Sequence, residues 1–234
     1  MPQLSVVIPA YNEAERLGPS LDRALEYLER RGGSFEVLVV DDGSSDATGR
    51  VAAAYADRNV RLLTHPRNRG KGAALRTGVA ATGGDRVLVS DADFSTPIEE
   101  LPKLERRLAD ADLVLGSRAA PGADVRERQP LYRELMGKTF NLLIRILGVR
   151  GLRDTQCGFK LLRGEVGREL FAEMEIDGFA YDVEMVWLAR QHGYRVVEVG
   201  VVWVNSAASK VDPIRSSLAM FRDVIALRRR RLPR

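Results

Sequence analysis

Two aspartates separated by one alanine, Asp91 and Asp93, are the residues of this sequence best suited to chemistry. They follow a short apolar, β-rich run at residues 87–89, and alternate residues of an extended strand end point to the same side. Both carboxylates can therefore reach one point, where hard oxygen ligands suit Mg²⁺ or Mn²⁺. A pair of solvated turn aspartates is the simpler interpretation, because aspartate is common where strands end. The neighbouring segments have to decide between the two.

Two further segments carry residues typical of a nucleotide site. Asp41 and Asp42 precede a glycine after a second apolar run, and either carboxylate can accept a hydrogen bond from a uracil imide or a ribose hydroxyl. Residues 67–72 form a basic, glycine-rich loop before a helix, where backbone N–H groups and cations favour a diphosphate. The loop is not a Walker A motif, because Gly72 rather than Ser or Thr follows Lys71. A plain turn and a solvated basic loop are the alternatives.

One arginine, Arg118, could contribute to an acceptor site. It follows an apolar run and a Gly-Ser turn, and its guanidinium presents paired donors that match phosphate oxygens. A surface arginine on a connecting loop is the alternative interpretation.

The elements that must position these residues alternate along the chain. Apolar runs typical of strands occupy residues 4–8, 35–40, 60–63, 87–89 and 112–115. Helical patterns cover residues 13–31, 46–58, 73–81 and 98–109. This alternation predicts an α/β fold with a mainly parallel sheet sandwiched by helices. Ligands bind such sheets at the carboxyl ends of the strands, and the candidate residues fall at several of those ends.

Length and composition bound the possible functions. The 234 residues suffice for one large domain, and the hydrophobic and charged fractions of 45% and 29% are those of an ordinary globular protein. The single cysteine, Cys157, excludes an intrachain disulfide and favours a reducing, cytoplasmic compartment, and nothing marks its thiol as activated. His65 and His192 match no zinc spacing. No apolar stretch is long enough to span a bilayer, so membrane contact is expected only at the surface.

Two amphipathic segments predict peripheral association with an anionic membrane. Residues 130–149 have an apolar helical side and a basic complement, and residues 213–234 combine an apolar helix with four arginines at 228–231. Each cation near an anionic leaflet contributes about 1 kcal/mol, so several would hold the protein reversibly. A core helix, or a contact in a homo-oligomer, is the alternative for the first segment. The arginines alone could suit nucleic acid, but no nucleic-acid-binding module accompanies them, so no such partner is expected.

Taken together, the motifs resemble the inverting family 2 glycosyltransferases of the GT-A, Rossmann-like fold. The motifs that carry this resemblance are residues 7–13, 40–46, 68–72 and 91–93. Residues 116–118 and 154–160 are similar to the branch that makes polyprenyl- or dolichyl-phosphate sugars, particularly the dolichyl-phosphate glucose synthases. The resemblance implies a GT-A domain over residues 1–212, followed by the basic amphipathic helix at residues 213–234.

The resemblance implies an activity and a set of roles. The activity is an inverting transfer of a hexose, with glucose from UDP-glucose favoured, to a polyprenyl phosphate on the cytoplasmic face of a membrane. Catalysis is implied for Asp91, Asp93 and Arg118, with Mg²⁺ or Mn²⁺ held by the two aspartates. The residues implied around the nucleotide sugar are Pro9, Tyr11, Glu13, Asp41, Asp42, Gly43, Lys71, Asp91, Ala92 and Lys210. Those implied on the sugar and acceptor side are Arg118, Arg133, Asp154, Gln156 and Asp182.

Other functions stay open at this point. A glycosyltransferase of the same fold could act on a small, water-soluble acceptor such as a sugar or a glycerate. A non-catalytic nucleotide-binding module would not need both Asp91 and Asp93. A sugar nucleotidyltransferase would usually carry a glycine-rich phosphate loop directly after the first strand, whereas residues 9–13 contain no glycine. Neither of the last two accounts for as many segments as the glycosyltransferase.

Overall fold

The computed structural model describes residues 1–126, 151–204 and 213–229. The predicted amphipathic helix at residues 130–149, which contains Arg133, lies outside the described residues, and so does Lys210.

The central sheet has seven strands in the described residues, each formed by a short apolar run. They are β1 Leu4–Ala10, β2 Phe35–Asp41, β3 Val60–Thr64, β4 Arg86–Val89, β5 Leu113–Ser117, β7 Lys160–Arg163 and β8 Val196–Gly200. Their spatial order is β3-β2-β1-β4-β7-β5-β8. Every neighbouring pair is parallel except the two that involve β7. A separate parallel pair joins β6 Asp124–Arg126 to β9 Val202–Val204. The predicted mainly parallel α/β sheet is confirmed.

Helices cover both faces of this sheet. In the described residues they are α1 Ala14–Arg31, α2 Thr48–Ala53, α3 Lys71–Ala80, α4 Leu101–Leu108, α5 Gly164–Glu173, α6 Tyr181–Gln191 and α7 Pro213–Arg229. Helix α3 begins at Lys71, two residues earlier than its apolar pattern predicts. Helix α2 is shorter than its pattern predicts, because a separate 3₁₀ turn at Ala56–Arg58 takes up the last residues of the segment. Among the described residues, no helix combines the length and the hydropathy needed to cross a bilayer.

The core lies in two apolar layers, one on each face of the sheet. In α1, Leu17, Leu21, Leu25 and Leu28 follow the predicted helical spacing and are all buried. Burying one leucine side chain stabilises the fold by roughly 1.5–3 kcal/mol, so this face alone fixes α1 on the sheet. Cys157 is buried, as expected for a cysteine with a structural role.

Strands β6 to β9 lie beyond the alternating pattern, and β7 is the one of them that enters the sheet between two predicted strands. It enters the sheet between β4 and β5 and runs antiparallel to both. Lys160 therefore lies opposite Val89 and Leu115, at the carboxyl ends of β4 and β5. This reversal brings the segment just before β7 to the edge where ligands bind in such sheets.

Candidate active site

The predicted site residues converge at the carboxyl edge of the sheet. Ala10 at the end of β1 lies opposite Asp41 at the end of β2, and Val7 lies opposite Val89 at the end of β4. Asp91 follows β4 directly, and Arg118 follows β5. Side chains that are distant in sequence thus share one cleft, as expected for the ends of parallel strands.

The loops that follow β1 and β2 are tied together by hydrogen bonds. Asn12 has a left-handed backbone, with φ of 56°, and its Oδ1 accepts a bond of 2.9 Å from Ser45 N. Asn12 N donates to Ser44 Oγ at 2.9 Å, and Glu13 N donates to Thr48 Oγ1 at 2.7 Å. The two loops therefore form one unit at the predicted base-binding end of the cleft.

The predicted base-binding residues line this unit. Pro9 is partly exposed in β1, and Tyr11 is 46% exposed just beyond it. Gly43 has a left-handed φ of 72°, and a Cβ built there would lie 2.3 Å from the backbone carbon of Arg67. Only glycine allows this close approach of the second loop to the basic loop.

Asp41 keeps one carboxylate oxygen available. Its Oδ1 accepts a hydrogen bond of 2.9 Å from Ser44 N. A Cβ at Gly49 would lie 2.8 Å from its Oδ2, so the glycine makes room for the carboxylate. No described residue donates a hydrogen bond to Oδ2, and Asp41 is thus the better placed of the two neighbouring aspartates to accept one from a ligand.

Asp42 supports the basic loop instead. Its Oδ1 accepts hydrogen bonds from Arg69 N at 2.9 Å and from a ring nitrogen of His65 at 2.7 Å, and its Oδ2 accepts one from Gly70 N at 2.8 Å. Both oxygens of this buried carboxylate are therefore engaged. The geometry gives Asp42 a supporting role for the basic loop. Direct contact between Asp42 and a nucleotide stays a prediction that this geometry does not support.

The backbone of the glycine-rich loop is also engaged, contrary to the prediction that its N–H groups hold a diphosphate. Gly72 N and Ala73 N donate to the Asp177 carbonyl, at 2.7 and 3.2 Å. A Cβ at Gly72 would lie 2.2 Å from the carbonyl oxygen of Ile176, so this glycine serves close packing. The Lys71 side chain, rather than these backbone groups, is what the loop can offer to phosphate.

Lys71 faces the first aspartate of the pair. Its Nζ donates to Asp91 Oδ1. Burial opposes the charge on the lysine, but the carboxylates of Asp91 and Asp182 outweigh burial and raise the pKa of Lys71. Burial likewise opposes the charge on Asp91, and Lys71 with Lys160 and Arg118 lowers its pKa. Asp91 is therefore ionised at neutral pH.

Arg16, which the motifs did not single out, faces the second aspartate. Its guanidinium donates to Asp93 Oδ2 at 3.2 Å, and Glu13 holds the same guanidinium through contacts of 2.7 and 2.5 Å. Glu13 thus holds Arg16, and its predicted place beside the base stays a prediction. Glu13 and Arg16 are three residues apart at the start of a helix, where oppositely charged side chains pair. This spacing could have identified Arg16 from the sequence.

The aspartate pair has the chemistry of a divalent metal site. The charges of Asp91 and Asp93 both act on Arg16 and on Lys71, so the two carboxylates lie in one electrostatic environment. Their side chains are 36% and 18% exposed, which leaves oxygens accessible from the cleft. Ala92 between them is buried. Accessible carboxylate oxygens are the ligands that suit Mg²⁺ or Mn²⁺.

Arg118, whose charge acts on Asp91, is fixed by Asp154. Its Nε and one terminal nitrogen donate to the two Asp154 oxygens at 2.7 and 3.0 Å, and its backbone N donates at 3.0 Å. Gln156 N adds a bond of 3.1 Å to the same carboxylate. Burial opposes the charge on Asp154, but Arg118 and these backbone groups lower its pKa. The Trp203 ring, 5.5 Å from the guanidinium carbon, is a neighbour that no motif indicated.

Asp182 lies beneath the site. The side chain is buried and forms an ion pair of 2.5 Å with the ammonium of Lys160. Burial raises the pKa of Asp182 despite the lysine. Its carboxylate faces the interior, so the role predicted for Asp182 on the sugar and acceptor side stays a prediction without support from this geometry. Lys160 is the last residue of the motif at residues 154–160. Its place in that motif could have identified it as a site residue from the sequence.

Comparison with known proteins supports a common ancestry for this arrangement. Residues 5–171 match the family described as Glycosyl transferase family 2. A dolichyl-phosphate beta-glucosyltransferase from Mus musculus is 39% identical, over 98% of this chain and 76% of its own length. The enzyme of the same name from Dictyostelium discoideum is 35% identical, over 98% and 75%.

Solved structures show the same fold. Mannosyl-3-phosphoglycerate synthase from Rubrobacter xylanophilus superposes with a TM-score of 0.70 at 25% identity, covering 97% of this chain and 74% of that one. A second structure is glucosyl-3-phosphoglycerate synthase from Mycobacterium tuberculosis in complex with Mn²⁺, UDP-glucose and phosphoglyceric acid. It superposes with a TM-score of 0.68 at 22% identity, covering 97% of this chain and 78% of that one.

Proposed function

Since the chain belongs to glycosyl transferase family 2, we propose that it transfers glucose from UDP-glucose to a polyprenyl phosphate of the dolichyl type. The relatives that are 35–39% identical over 98% of the chain carry that activity in their names. One observation carries the acceptor assignment. The Arg118 guanidinium is fixed by Asp154 beside Asp91, where it can hold an anionic acceptor against the sugar.

The donor occupies the half of the cleft formed by β1, β2 and the basic loop. Asp41 accepts a hydrogen bond from the base or ribose through its available oxygen, with Pro9, Tyr11 and Gly43 around it. The ammonium of Lys71 contacts the diphosphate, because it is the cation nearest the aspartate pair.

A divalent ion completes the donor site. Asp91 and Asp93 would hold Mg²⁺ or Mn²⁺, and such an ion would supply positive charge to stabilise the departing nucleoside diphosphate. Arg16 contacts Asp93 and Lys71 contacts Asp91, and these contacts orient both carboxylates at the cleft edge.

The transfer itself is a single displacement. An oxygen of the lipid phosphate attacks the anomeric carbon of glucose on the face opposite the diphosphate. The new carbon–oxygen bond forms as the bond to the diphosphate breaks, the electron pair leaves with UDP, and the configuration inverts. A phosphate is anionic at neutral pH, so Arg118 has only to orient it, and positioning with charge stabilisation supplies the catalysis.

The acceptor places the protein at a membrane surface. Phe221 on α7 is 39% exposed, and the sequence carries four arginines at residues 228–231, the first two of which belong to the same helix. We assign residues 1–212 to the catalytic domain and residues 213–234 to a basic helix that contacts the cytoplasmic leaflet. The membrane helix at residues 130–149, roles for Arg133 and Lys210, and the homo-oligomer stay predictions.

The deciding experiment follows radiolabelled sugar into lipid. Purified protein is incubated with Mn²⁺, polyprenyl phosphate and each of a panel of labelled nucleotide sugars, and the products are extracted into organic solvent. Label from UDP-glucose in the organic phase is the expected result, and it should disappear in the Asp91→Ala variant. A parallel incubation offers 3-phosphoglycerate in place of the lipid. Label transferred only to 3-phosphoglycerate would overturn the lipid acceptor and leave the family assignment standing. Transfer from no donor would overturn the proposal.

A further inference from the structure

A fully buried lysine lies beneath the site at the start of β7. The ammonium of Lys160 contacts the Asp182 carboxylate at 2.5 Å and the Cys157 carbonyl oxygen at 2.5 Å. Lys160 is 0% exposed and Asp182 is 4% exposed. Both charges are thus removed from water inside the sheet.

Stability alone does not account for this pair. Desolvating two charges offsets most of their attraction, and well-packed apolar residues at such positions are often as stable or more so. Leu162, two positions along β7 on the same face of the sheet as Lys160, is apolar and buried, so this face does not exclude such residues. A buried pair that contributes little stability and lies next to a binding site therefore calls for a role in the site.

A tyrosine ring connects the buried pair to the donor cleft. The Tyr181 centroid lies 5.4 Å from Lys160 Nζ and 5.7 Å from Lys71 Nζ, so two ammonium groups share one ring. Tyr181 is fully buried, and its hydroxyl makes no hydrogen bond of ordinary geometry to a described residue. Burial and the adjacent Asp182 carboxylate raise the pKa of the Tyr181 hydroxyl well above its ordinary value. Packing, this carboxylate and the two cations therefore position the ring together.

The same ring supports the basic loop from below. A Cβ at Gly72 would lie 3.0 Å from the Cβ of Tyr181, so the ring packs directly under the start of α3. Lys71 leaves this start and reaches Asp91. A displacement of the ring would move the Lys71 ammonium relative to the aspartate pair.

We propose that Lys160 is a positioning residue for the donor diphosphate: paired with Asp182, it holds the Tyr181 ring on which the Lys71 ammonium rests. This inference rests on the proposed function, because it assigns Lys71 to the diphosphate. The base subsite at Asp41 belongs to other loops and does not depend on this arrangement.

The test compares ligands with and without a diphosphate. The double variant Lys160→Met/Asp182→Asn removes both charges together and leaves no unpaired buried ion. Binding of UDP and of uridine is measured in the presence of Mn²⁺ by calorimetry and by ligand-observed NMR. We expect UDP affinity to fall at least tenfold while uridine affinity stays at the wild-type value. A general structural defect would lower both.

A second variant covers the case in which the double variant does not fold. Tyr181→Leu keeps the Lys160–Asp182 pair and removes the ring, and it should show the same selective loss for UDP. The matched control is Arg163→Met/Asp112→Asn, which removes an ion pair of 3.2 Å at the opposite end of β7 and should bind both ligands normally.

The outcomes separate the two proposals. Wild-type UDP affinity in the folded double variant or in Tyr181→Leu would overturn the role of Lys160 alone. An equal loss in the control variant would also overturn it. A wild-type protein that binds no UDP would overturn the proposed function together with this inference.

Discussion

At the scale of single residues, two glycines allow segments that are far apart in sequence to approach each other closely in the site. Gly158 precedes β7, and a Cβ built on it would lie 1.9 Å from Asp91 Oδ2. Gly72 meets the carbonyl of Ile176 at a comparably short distance, 2.2 Å. These glycines are required because side chain or backbone from another loop occupies the space that a Cβ would need.

The substitution Gly158→Ala should lower activity on the order of 100-fold while the protein stays folded. The new methyl group would displace the Asp91 carboxylate, and a misplacement of about 1 Å at reacting groups can cost on the order of 100-fold in rate. Glucosyl transfer and circular dichroism would be measured together. The control is Gly167→Ala, where the nearest atom to the new Cβ is 3.5 Å away, and it should keep wild-type activity. Normal turnover in Gly158→Ala would contradict the packing argument.

The Arg118–Asp154 pair should make stability depend on pH in the acid range. An unfolded aspartate has a pKa of about 3.9, and Arg118 lowers the folded value of Asp154. The pair therefore stabilises the folded state above about pH 4, and this stabilisation is lost as the pH falls through the folded pKa. Relative to Asp154→Asn, the wild type should be more stable by about 3 kcal/mol at pH 7.

Urea unfolding at a series of pH values checks this prediction. The free-energy difference between wild type and Asp154→Asn should shrink steadily below pH 4. The control is Asp124→Asn, because Asp124 and its partner Arg126 are 51% and 63% exposed, and such surface pairs contribute little. A difference that is the same at pH 3 and pH 7 would count against the assigned role of the pair.

At the scale of secondary-structure elements, the direction of β7 decides which motifs meet. Its antiparallel entry puts Lys160 and the preceding segment at the carboxyl edge, beside the ends of β4 and β5. A parallel strand at this position would have placed that segment at the opposite edge. The buried pair and the Asp154 contact with Arg118 both depend on this single reversal.

Helix α7 lies in the segment that we propose contacts the anionic membrane surface. Replacing two of its arginines, Arg228→Gln/Arg229→Gln, should weaken binding to anionic vesicles roughly 30-fold, because each contributes about 1 kcal/mol near an anionic leaflet. Co-sedimentation with the vesicles at fixed salt measures the effect. The matched control, Arg23→Gln/Arg30→Gln, removes the same charge from exposed positions of α1 and should bind as the wild type does. Equal losses in both variants would point to net charge rather than to α7.

At the scale of the whole molecule, the carboxyl ends of several strands lie at one edge of the sheet. The apolar layers on both faces of the sheet hold these strands in place. The cleft at this edge unites loops from both halves of the chain, since Asp177 binds the basic loop and Asp154 binds Arg118. A ligand that contacts several of these loops should therefore stabilise the fold as a unit.

UDP with Mn²⁺ should raise the midpoint of thermal unfolding. At a ligand concentration 100 times the dissociation constant, binding adds about 2.7 kcal/mol, which corresponds to roughly 5–10 °C for a chain of this size. Scanning calorimetry with and without EDTA provides the measurement. EDTA should remove most of the shift, and the Asp91→Ala variant should show little shift even with the metal. An unchanged shift in EDTA would argue against a metal at the aspartate pair.

Local patterns in the sequence determined the fold class, most element positions and the family. Apolar periodicity and turn chemistry act within a few residues, so β1 to β5, α1 and the carboxylates at the strand ends could be predicted. The aspartate pair at Asp91 and Asp93 and the other motifs are also short local segments. The glycosyltransferase family could therefore be predicted from the sequence as well.

Only the tertiary structure decided which polar groups remain available to a ligand. Asp41 and Asp42 look alike in sequence, yet Asp42 is engaged by the basic loop and Asp41 is not. Asp182 belongs to the interior because Lys160 arrives there on an antiparallel strand. Such roles depend on contacts between residues 20 or more positions apart, which no local pattern encodes.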